Sequence, residues 1–365
     1  MALSTIPFSA LSSDASNQGV NFRNLIINGD MSIAQRGTSS SGQTSAGYKS
    51  LDRYRFNIDG LGTWTISQDS NVPSGQGFGY SQKIACTTAN ASPAAGNVMQ
   101  MQYKIEGQML QHLKKGTSSA ESLTLSFWVR SNKTGTYVAE LYDMDNTRSI
   151  SKSYTINSAD TWEKKTLTYA GDTTGSFTND NNLSLQLYIW LASGTRYTSG
   201  TLNTSWGSIT DANRASGQVN LGDSSSNTFY ITGVQLEVGT SASDFEFLPY
   251  DVNLQRCQRY FQKGYSAADN AVHAGRGQGT TSVDFHFSLV TPLRASPTIT
   301  QSGDGWRVIK PTSTISDSSN TPSVQQFYEL NPYIVLRHSG HSGITDNYLF
   351  GISPRALTYY FDSEL

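Results

Sequence analysis

Aromatic residues alternate with amides and arginine along two segments of the chain. In SLTLSFWVRS, Trp128 and Arg130 fall on the polar side, and in NLSLQLYIWLASG, Gln186, Tyr188 and Trp190 do so. Aromatic rings pack against the apolar C–H face of a sugar, while amides and arginine hydrogen-bond its hydroxyl groups. If both segments lie in one concave sheet, the five residues form a platform for carbohydrate. Alternatively, the rings pack under loops or at a subunit interface.

The C-terminal part of the sequence holds a second candidate ligand-binding set. Its members are Trp306, Tyr333, Arg337 and His338. Loops that contact a receptor commonly display such side chains, although aromatic residues that alternate here can equally form a core. The H-x-x-H spacing of His338 and His341 lacks the further ligands of a metal site, and a Ser/Gly-rich loop explains it equally well.

Acidic residues provide weak candidates for metal binding. Asp143 and Asp145 of the DMDN turn carry the oxygen ligands that calcium prefers, but the twelve-residue loop with its terminal Glu is missing. A hairpin turn explains the same residues.

Catalytic machinery is not evident in the sequence. A glycoside hydrolase needs paired carboxylates on a cleft, and Asp284 with Glu329 or Asp52 with Glu106 are available. Acidic residues scattered among strands are expected by chance, and no nucleophile-elbow, P-loop or zinc-protease motif is present. We therefore expect a protein that is not an enzyme.

The charge balance limits the classes of partner. Hydrophobic residues make up 36% and charged residues 15% of 365 residues, and the net charge is −2. Nucleic acid and anionic membranes attract clustered Lys and Arg, so neither is expected as a partner. No stretch approaches the ~20 apolar residues of a membrane span, and no secretion signal opens the chain, which predicts synthesis in a cytoplasm without membrane insertion. Cys86 and Cys257 are too few for a disulfide framework or a thiolate metal site.

Short runs of period two, separated by Gly, Asn, Asp and Ser, predict the elements that position these residues. Only QMLQHLKKG suggests a short helical turn. We expect an all-β protein with antiparallel sheets packed as a sandwich or jelly roll. The predicted organisation is an extended N-terminal arm at 1–23, a jelly-roll domain at 24–250 and a smaller C-terminal β domain at 251–365.

A set of distinctive segments spans about Asn24 to Thr300: NLIINGDMSIAQRGTS, LDRYRF, SLTLSFWVRSNKTGTY, TWEKKTLTYAGDTTG and LRASPTIT. The most specific part is ITGVQLEVG, FEFLPYD and QRCQRYF in succession. Together these segments resemble a domain of bacteriophage tail fibres and related virion proteins, which is similar to the jelly-roll carbohydrate-binding modules of the CenC type.

This resemblance implies a place on the exterior of a virion, in the tail or on the capsid, and a homotrimer. The resemblance supplies no ligand. The leading hypothesis is that the arm docks on other virion proteins, rather than being a frayed terminus, and that the C-terminal domain contacts polysaccharide or lipopolysaccharide of the host surface. The alternative is a capsid decoration, head fibre or tail adaptor that contacts only virion proteins. CenC-like modules often hold a structural calcium near the first strand, which makes Asp30 with Asn28, and Asp244, a second candidate set.

Overall fold

The computed structural model describes residues 22–266, 273–303, 305–310, 313–329, 331–346, 349–354 and 357–365. Nearly all of the predicted arm lies outside these residues. The chain forms two compact units, one ending at Tyr250 and the other beginning at Asp251. The described elements are almost all antiparallel strands, so the predicted all-β class is confirmed. Within the described residues, no helix is long and apolar enough to span a membrane.

The N-terminal unit contains two antiparallel sheets. One is six-stranded, in the order β1-β4-β5-β13-β7-β10, and the other is seven-stranded, in the order β12-β9-β8-β11-β6-β3-β2. The strands are β1 (Ser39–Gln43), β2 (Gly47–Tyr48), β3 (Tyr54–Asp59), β4 (Thr63–Asp69), β5 (Ser81–Thr88), β6 (Val98–Glu106), β7 (Leu123–Ser131), β8 (Gly135–Asp143), β9 (Arg148–Ile156), β10 (Glu163–Tyr169), β11 (Leu183–Ser193), β12 (Gly207–Ser208) and β13 (Thr228–Val238).

The two sheets pack face to face through rings from alternate strand positions. Phe127 of β7 contacts Tyr154 of β9 at a centroid distance of 5.0 Å, and Tyr137 of β8 contacts Phe229 of β13 at 5.5 Å. Because side chains alternate across a strand, every second residue of β7 reaches this core. Each fully buried apolar side chain contributes about 1.5–3 kcal/mol to folding.

Residues 194–220, which we call the covering segment, lie over the outer face of the seven-stranded sheet. The segment contains the short helix α1 (Thr195–Thr198), strand β12 and a 3₁₀ turn at Asp211–Asn213. Its Ala215 packs into a small apolar cluster with Val138, Tyr188 and Trp190. Strand β11 is consequently buried on both faces, although its sequence alternates between apolar and polar residues.

The C-terminal unit has a seven-stranded sheet, in the order β19-β18-β22-β15-β16-β21-β20, and a three-stranded sheet, in the order β14-β23-β17. Phe287 and Phe361 join the two sheets, with ring centroids 5.0 Å apart. The strands are β14 (Phe261–Ser266), β15 (His273–Gln278), β16 (Ser282–Ser288), β17 (Thr298–Gly303), β18 (Trp306–Lys310), β19 (Ser313–Ser318), β20 (Ser323–Gln326), β21 (Tyr333–Ser339), β22 (Leu349–Pro354) and β23 (Leu357–Asp362).

Helical structure is more extensive than the sequence indicates. The suggested turn at QMLQHLKKG is two consecutive 3₁₀ helices, Gly107–Met109 and Gln111–Leu113. A nine-residue helix, α2 (Tyr250–Gln258), was not predicted. Among its residues only Asn253 and Cys257 are buried, so it has no apolar stripe from which period 3.6 could be read. Both cysteines of the chain are buried free thiols.

Candidate functional site

The five residues of the predicted N-terminal platform lie on two different sheets. Trp128 and Arg130 are on β7 of the six-stranded sheet, whereas Gln186, Tyr188 and Trp190 are on β11 of the seven-stranded sheet. The condition for a single platform, that both strands share one sheet, is not met. The two groups are therefore separate features.

The β11 group is closed off from solvent by the covering segment. Trp190 is 0% exposed and Tyr188 is 7% exposed. Arg214 of the covering segment places its guanidinium 5.1 Å from the Tyr188 ring centroid and 5.2 Å from that of Trp190. Gln186 is buried and accepts a hydrogen bond from the Tyr188 hydroxyl at 3.1 Å. These rings have an internal cation over them, and they offer no open face for a sugar.

Arg214 is held in place by Glu140, a fully buried residue of β8. The guanidinium donates from Nε to Oε1 at 2.9 Å and from Nη2 to Oε2 at 3.0 Å, and Trp190 Nε1 donates to Oε2 at 2.9 Å. Burial lowers the pKa of Arg214, but the charge and hydrogen bonds of Glu140 outweigh burial and raise it. The arginine is therefore a permanent cation in this cluster.

Trp128 lies in a cleft on the outer face of the six-stranded sheet, which we call the aromatic slot. Its volume is about 380 Å³. The slot is lined by aromatic rings, by backbone at its floor and by polar side chains at its rim; these residues are Gly75, Gln76, Phe78, Ser126, Trp128, Lys164, Gly233, Asp244, Phe245 and Phe247.

A bulge in β13 creates the floor of the aromatic slot. The register with β7 shifts between Thr232 and Gln235, and Gly233 adopts a φ of +62°. A Cβ at this position would meet Cζ of Phe78 at 2.5 Å, so the phenyl ring lies directly against the glycine. Phe78 contacts both Phe245 and Phe247 at centroid distances of 5.1 Å, and Phe247 remains 50% exposed.

The polar groups of the aromatic slot are not engaged with one another. Among the described residues, the Asp244 carboxylate, the Lys164 ammonium, the Gln76 amide and the Trp128 indole N–H have no side-chain hydrogen bond or ion pair. In the described part of the chain, Asp244 is hydrogen-bonded only through its main-chain carbonyl, which accepts from the side chains of Arg23, Gln235 and Ser243. Arg130, which is on β7 with Trp128, is instead paired with Asp160 at 3.0 Å. The slot thus combines aromatic faces with uncommitted donors and an uncommitted acceptor.

The four aspartates proposed for calcium do not converge. Within the described ranges, no group of three or more His, Cys, Asp or Glu side chains could hold a metal ion. Asp143 is paired with the Lys115 ammonium at 2.7 Å, and Asp145 accepts from the Thr178 amide at 3.0 Å. Asp30 accepts from the Ser32 hydroxyl at 3.1 Å, and Asp244 borders the aromatic slot. These four side chains therefore do not form a carboxylate cluster within the described ranges, and calcium binding stays a prediction.

The second candidate set divides between the core and the surface of the C-terminal unit. Trp306 and His338 are buried and in contact, with ring centroids 5.9 Å apart, and the indole N–H donates to Gln301 at 2.8 Å. Tyr333 and Arg337 lie on the opposite face of β21, where Tyr333 is 42% exposed. Alternation along β21 explains the division. Residues 333 and 337 are four positions apart and share one face of the strand, whereas residue 338 lies on the opposite face.

Arg337 lines a cleft on the seven-stranded sheet of the C-terminal unit, which we call the outer groove, and Tyr333 contacts another of its lining residues, His286. The volume of the groove is about 590 Å³. Arg337 binds both carboxylate oxygens of Asp284, at 2.6 and 2.8 Å. The residues that line the groove are Ala274, Gly275, Arg276, Asp284, Phe285, His286, Gln325, Gln326, Val335, Arg337 and Leu349.

We expect the buried His338 to make the C-terminal unit sensitive to acid. Its Nε2 donates to the Asn320 carbonyl at 2.6 Å, so its Nδ1 is the acceptor for His341 Nε2 at 2.7 Å in the neutral pair. Burial and His341 lower the pKa of His338 from 6.5 to about 4, although the Asn320 hydrogen bond acts in the opposite sense. Between pH 6.5 and about pH 4, His338 is protonated in the unfolded chain but neutral in the folded chain.

We expect acidification from pH 7 to pH 4 to remove about 3 kcal/mol of unfolding free energy through this residue, since each pKa unit is worth about 1.4 kcal/mol. The stabilisation is complete above pH 6.5 and declines towards pH 4. Denaturant unfolding of the full chain at several pH values measures this, with His338→Gln as the control. An equal pH slope in both proteins would contradict the assignment.

Comparisons with known proteins find distant similarity to solved structures. No protein-family model matches it, and no curated protein does so. The enzymatically active domain of tailspike protein 4 from Bacteriophage CBA120 is 12% identical with a TM-score of 0.32, and the match covers 60% of this chain and 22% of the tailspike chain. A putative sugar binding protein from Bacteroides thetaiotaomicron is 14% identical with a TM-score of 0.30, over 59% of this chain and 100% of the other. A family 11 carbohydrate-binding module of a Clostridium thermocellum cellulase is 11% identical with a TM-score of 0.27, and the match covers 60% of this chain and 96% of the module.

Sequence reasoning identified Trp128 and Asp244 but not their common site. It assigned Trp128 to carbohydrate and Asp244 to calcium, and it omitted Phe78, Phe245 and Phe247. In DFEFLP the two phenylalanines alternate, which indicates that they share a side. Their proximity to Phe78 depends on contacts between distant segments, and no local pattern records those contacts.

Proposed function

We propose that this chain is an attachment protein of a bacteriophage particle and that its N-terminal unit binds saccharide in the aromatic slot. The observation that carries the binding proposal is the combination of open aromatic faces with uncommitted polar groups in one cleft. The virion assignment, the homotrimer and docking through residues 1–23 rest on the sequence resemblance.

A sugar ring in the aromatic slot would lie with its C–H face against Trp128 and Phe247. Asp244 would accept hydrogen bonds from hydroxyl groups, while Lys164 and Gln76 would donate to them. A volume of about 380 Å³ is near the lower end of the range for small-molecule sites, roughly 300–1,000 Å³. Each contact would be weak, and several copies on one particle would act together through a high effective concentration.

We expect Trp128→Ala to weaken glycan binding by about tenfold or more, because it removes one aromatic wall and its N–H donor, a loss of about 1.4 kcal/mol or more. The measurement is binding of the intact protein to an array of bacterial polysaccharides and lipopolysaccharides. Tyr80→Ala is the matched control, since Tyr80 is an exposed ring of the same unit that does not line the slot.

Equal binding by Trp128→Ala and the unaltered protein would reject the slot as the site. Absence of glycan binding by the intact oligomer would favour the alternative of a capsid decoration or tail adaptor. Light scattering tests the homotrimer separately, and a monomer would remove that part of the proposal.

A further inference from the structure

The outer groove of the C-terminal unit carries a row of three charged residues on adjacent strands. Arg276 of β15 is in register with Asp284 of β16, which is in register with Arg337 of β21. Even-numbered β16 residues and odd-numbered β21 residues point away from the core, because Val283, Phe285 and Leu336 are buried within it. The sequence of charges across the sheet is therefore Arg, Asp, Arg on one face.

Asp284, the carboxylate of this row, already forms an ion pair. Arg337 binds both of its oxygens in a bidentate pair, and this pairing raises the pKa of Arg337. Arg276 is exposed, and among the described residues its guanidinium has no hydrogen bond or ion pair. The groove lining contains two arginines and one aspartate, which leaves one positive charge in a chain whose net charge is −2.

The remaining walls are suited to a saccharide. His286 lines the groove, and Tyr333, which is 42% exposed, lies beside it with ring centroids 5.7 Å apart. The amides of Gln325 and Gln326 are exposed at the other side of the groove. A guanidinium donates two parallel N–H groups to the paired oxygens of a carboxylate or phosphate. A neutral sugar hydroxyl has a single oxygen and cannot accept both.

We propose that the outer groove binds an oxyanion of an acidic glycan, with Arg276 as the residue that contacts the anion. Arg337 neutralises Asp284 and so removes the repulsion that this carboxylate would exert on the ligand. The carboxylate of an acidic sugar and a phosphate on a polysaccharide share this chemistry. The inference rests on the proposed glycan binding and adds the charge class of the glycan.

The test compares anionic and neutralised forms of the same polymers, with the full-length protein. Polygalacturonate and its carboxyl-reduced form are the first pair of probes, and lipopolysaccharide before and after dephosphorylation is the second. We expect at least tenfold tighter binding to the anionic member of one pair, and the pair that shows it identifies carboxylate or phosphate. That preference should decline as salt increases.

Arg276→Gln is expected to abolish the preference, and Arg276→Lys to retain part of it. Lys263→Gln is the charge-matched control, since Lys263 is an exposed cation of the same unit on β14 of the other sheet. An equal loss in Lys263→Gln, or no preference for either anionic probe in the unaltered protein, would overturn the inference. Trp128→Ala separates the two proposals, because it should weaken binding of neutral glycans while the Arg276-dependent preference persists.

Discussion

Replacing Arg214 with methionine is expected to destabilise the N-terminal unit by about 3–5 kcal/mol, because the Glu140 carboxylate would remain buried without its ionic partner. Glu140 is 0% exposed and accepts three charge-assisted hydrogen bonds from Arg214. The loss of the guanidinium would also remove a cation that packs on the Tyr188 and Trp190 rings. Urea unfolding of the full-length protein measures the change.

The double variant Arg214→Met with Glu140→Gln distinguishes a buried charge from lost packing. If the unpaired carboxylate causes the loss, the second change should recover much of it, since a neutral amide costs less to bury. Arg196→Met is the control within the covering segment: Arg196 is mostly exposed and pairs with Asp211 at the surface, so its removal should not shift the unfolding midpoint. A double variant no more stable than Arg214→Met would refute the electrostatic explanation.

Lys115 is the site of the second large effect. Its ammonium lies among four oxygens, at 2.7 Å from Asp143, 3.2 Å from Asp172, 2.6 Å from the Thr174 carbonyl and 3.1 Å from the Gly175 carbonyl. Burial raises the pKa of Asp172, but hydrogen bonds from Arg148 and the charge of Lys115 outweigh burial and lower it. Lys115 therefore occupies the position that a bound cation would take between these oxygens.

We expect Lys115→Ala to cost about 3–5 kcal/mol of unfolding free energy, since it leaves the Asp143 carboxylate buried without its direct ionic partner. Calcium at about ten times its dissociation constant should restore about 1.4 kcal/mol to the variant, because carboxylate and carbonyl oxygens are the ligands that calcium prefers. Lys114→Ala is the matched control, because Lys114 is exposed and forms a surface pair with Glu121 worth roughly 0–1 kcal/mol. Equal destabilisation by the two substitutions would contradict the role given to Lys115.

The sequence was sufficient to predict the fold class and the facing of individual strands. Leu125, Phe127 and Val129 alternate with Trp128 and are all fully buried, as period two requires. The pattern is local, because the direction of each side chain depends only on its position in the strand. For the same reason, Arg337 and His338 lie on opposite faces of β21 because they are consecutive residues of one strand.

Tertiary structure decided which of these faces remain open. Trp128 and Trp190 occupy equivalent polar positions on their strands, yet Trp128 lines a cleft and Trp190 is sealed beneath the covering segment. Strand pairing placed them on different sheets. The side chain of Arg214, 24 positions beyond Trp190, covers the face of Trp190 that solvent would otherwise contact. Period two is a property of neighbouring residues, whereas pairing and coverage depend on the free energy of contacts between distant segments, which alternation does not encode.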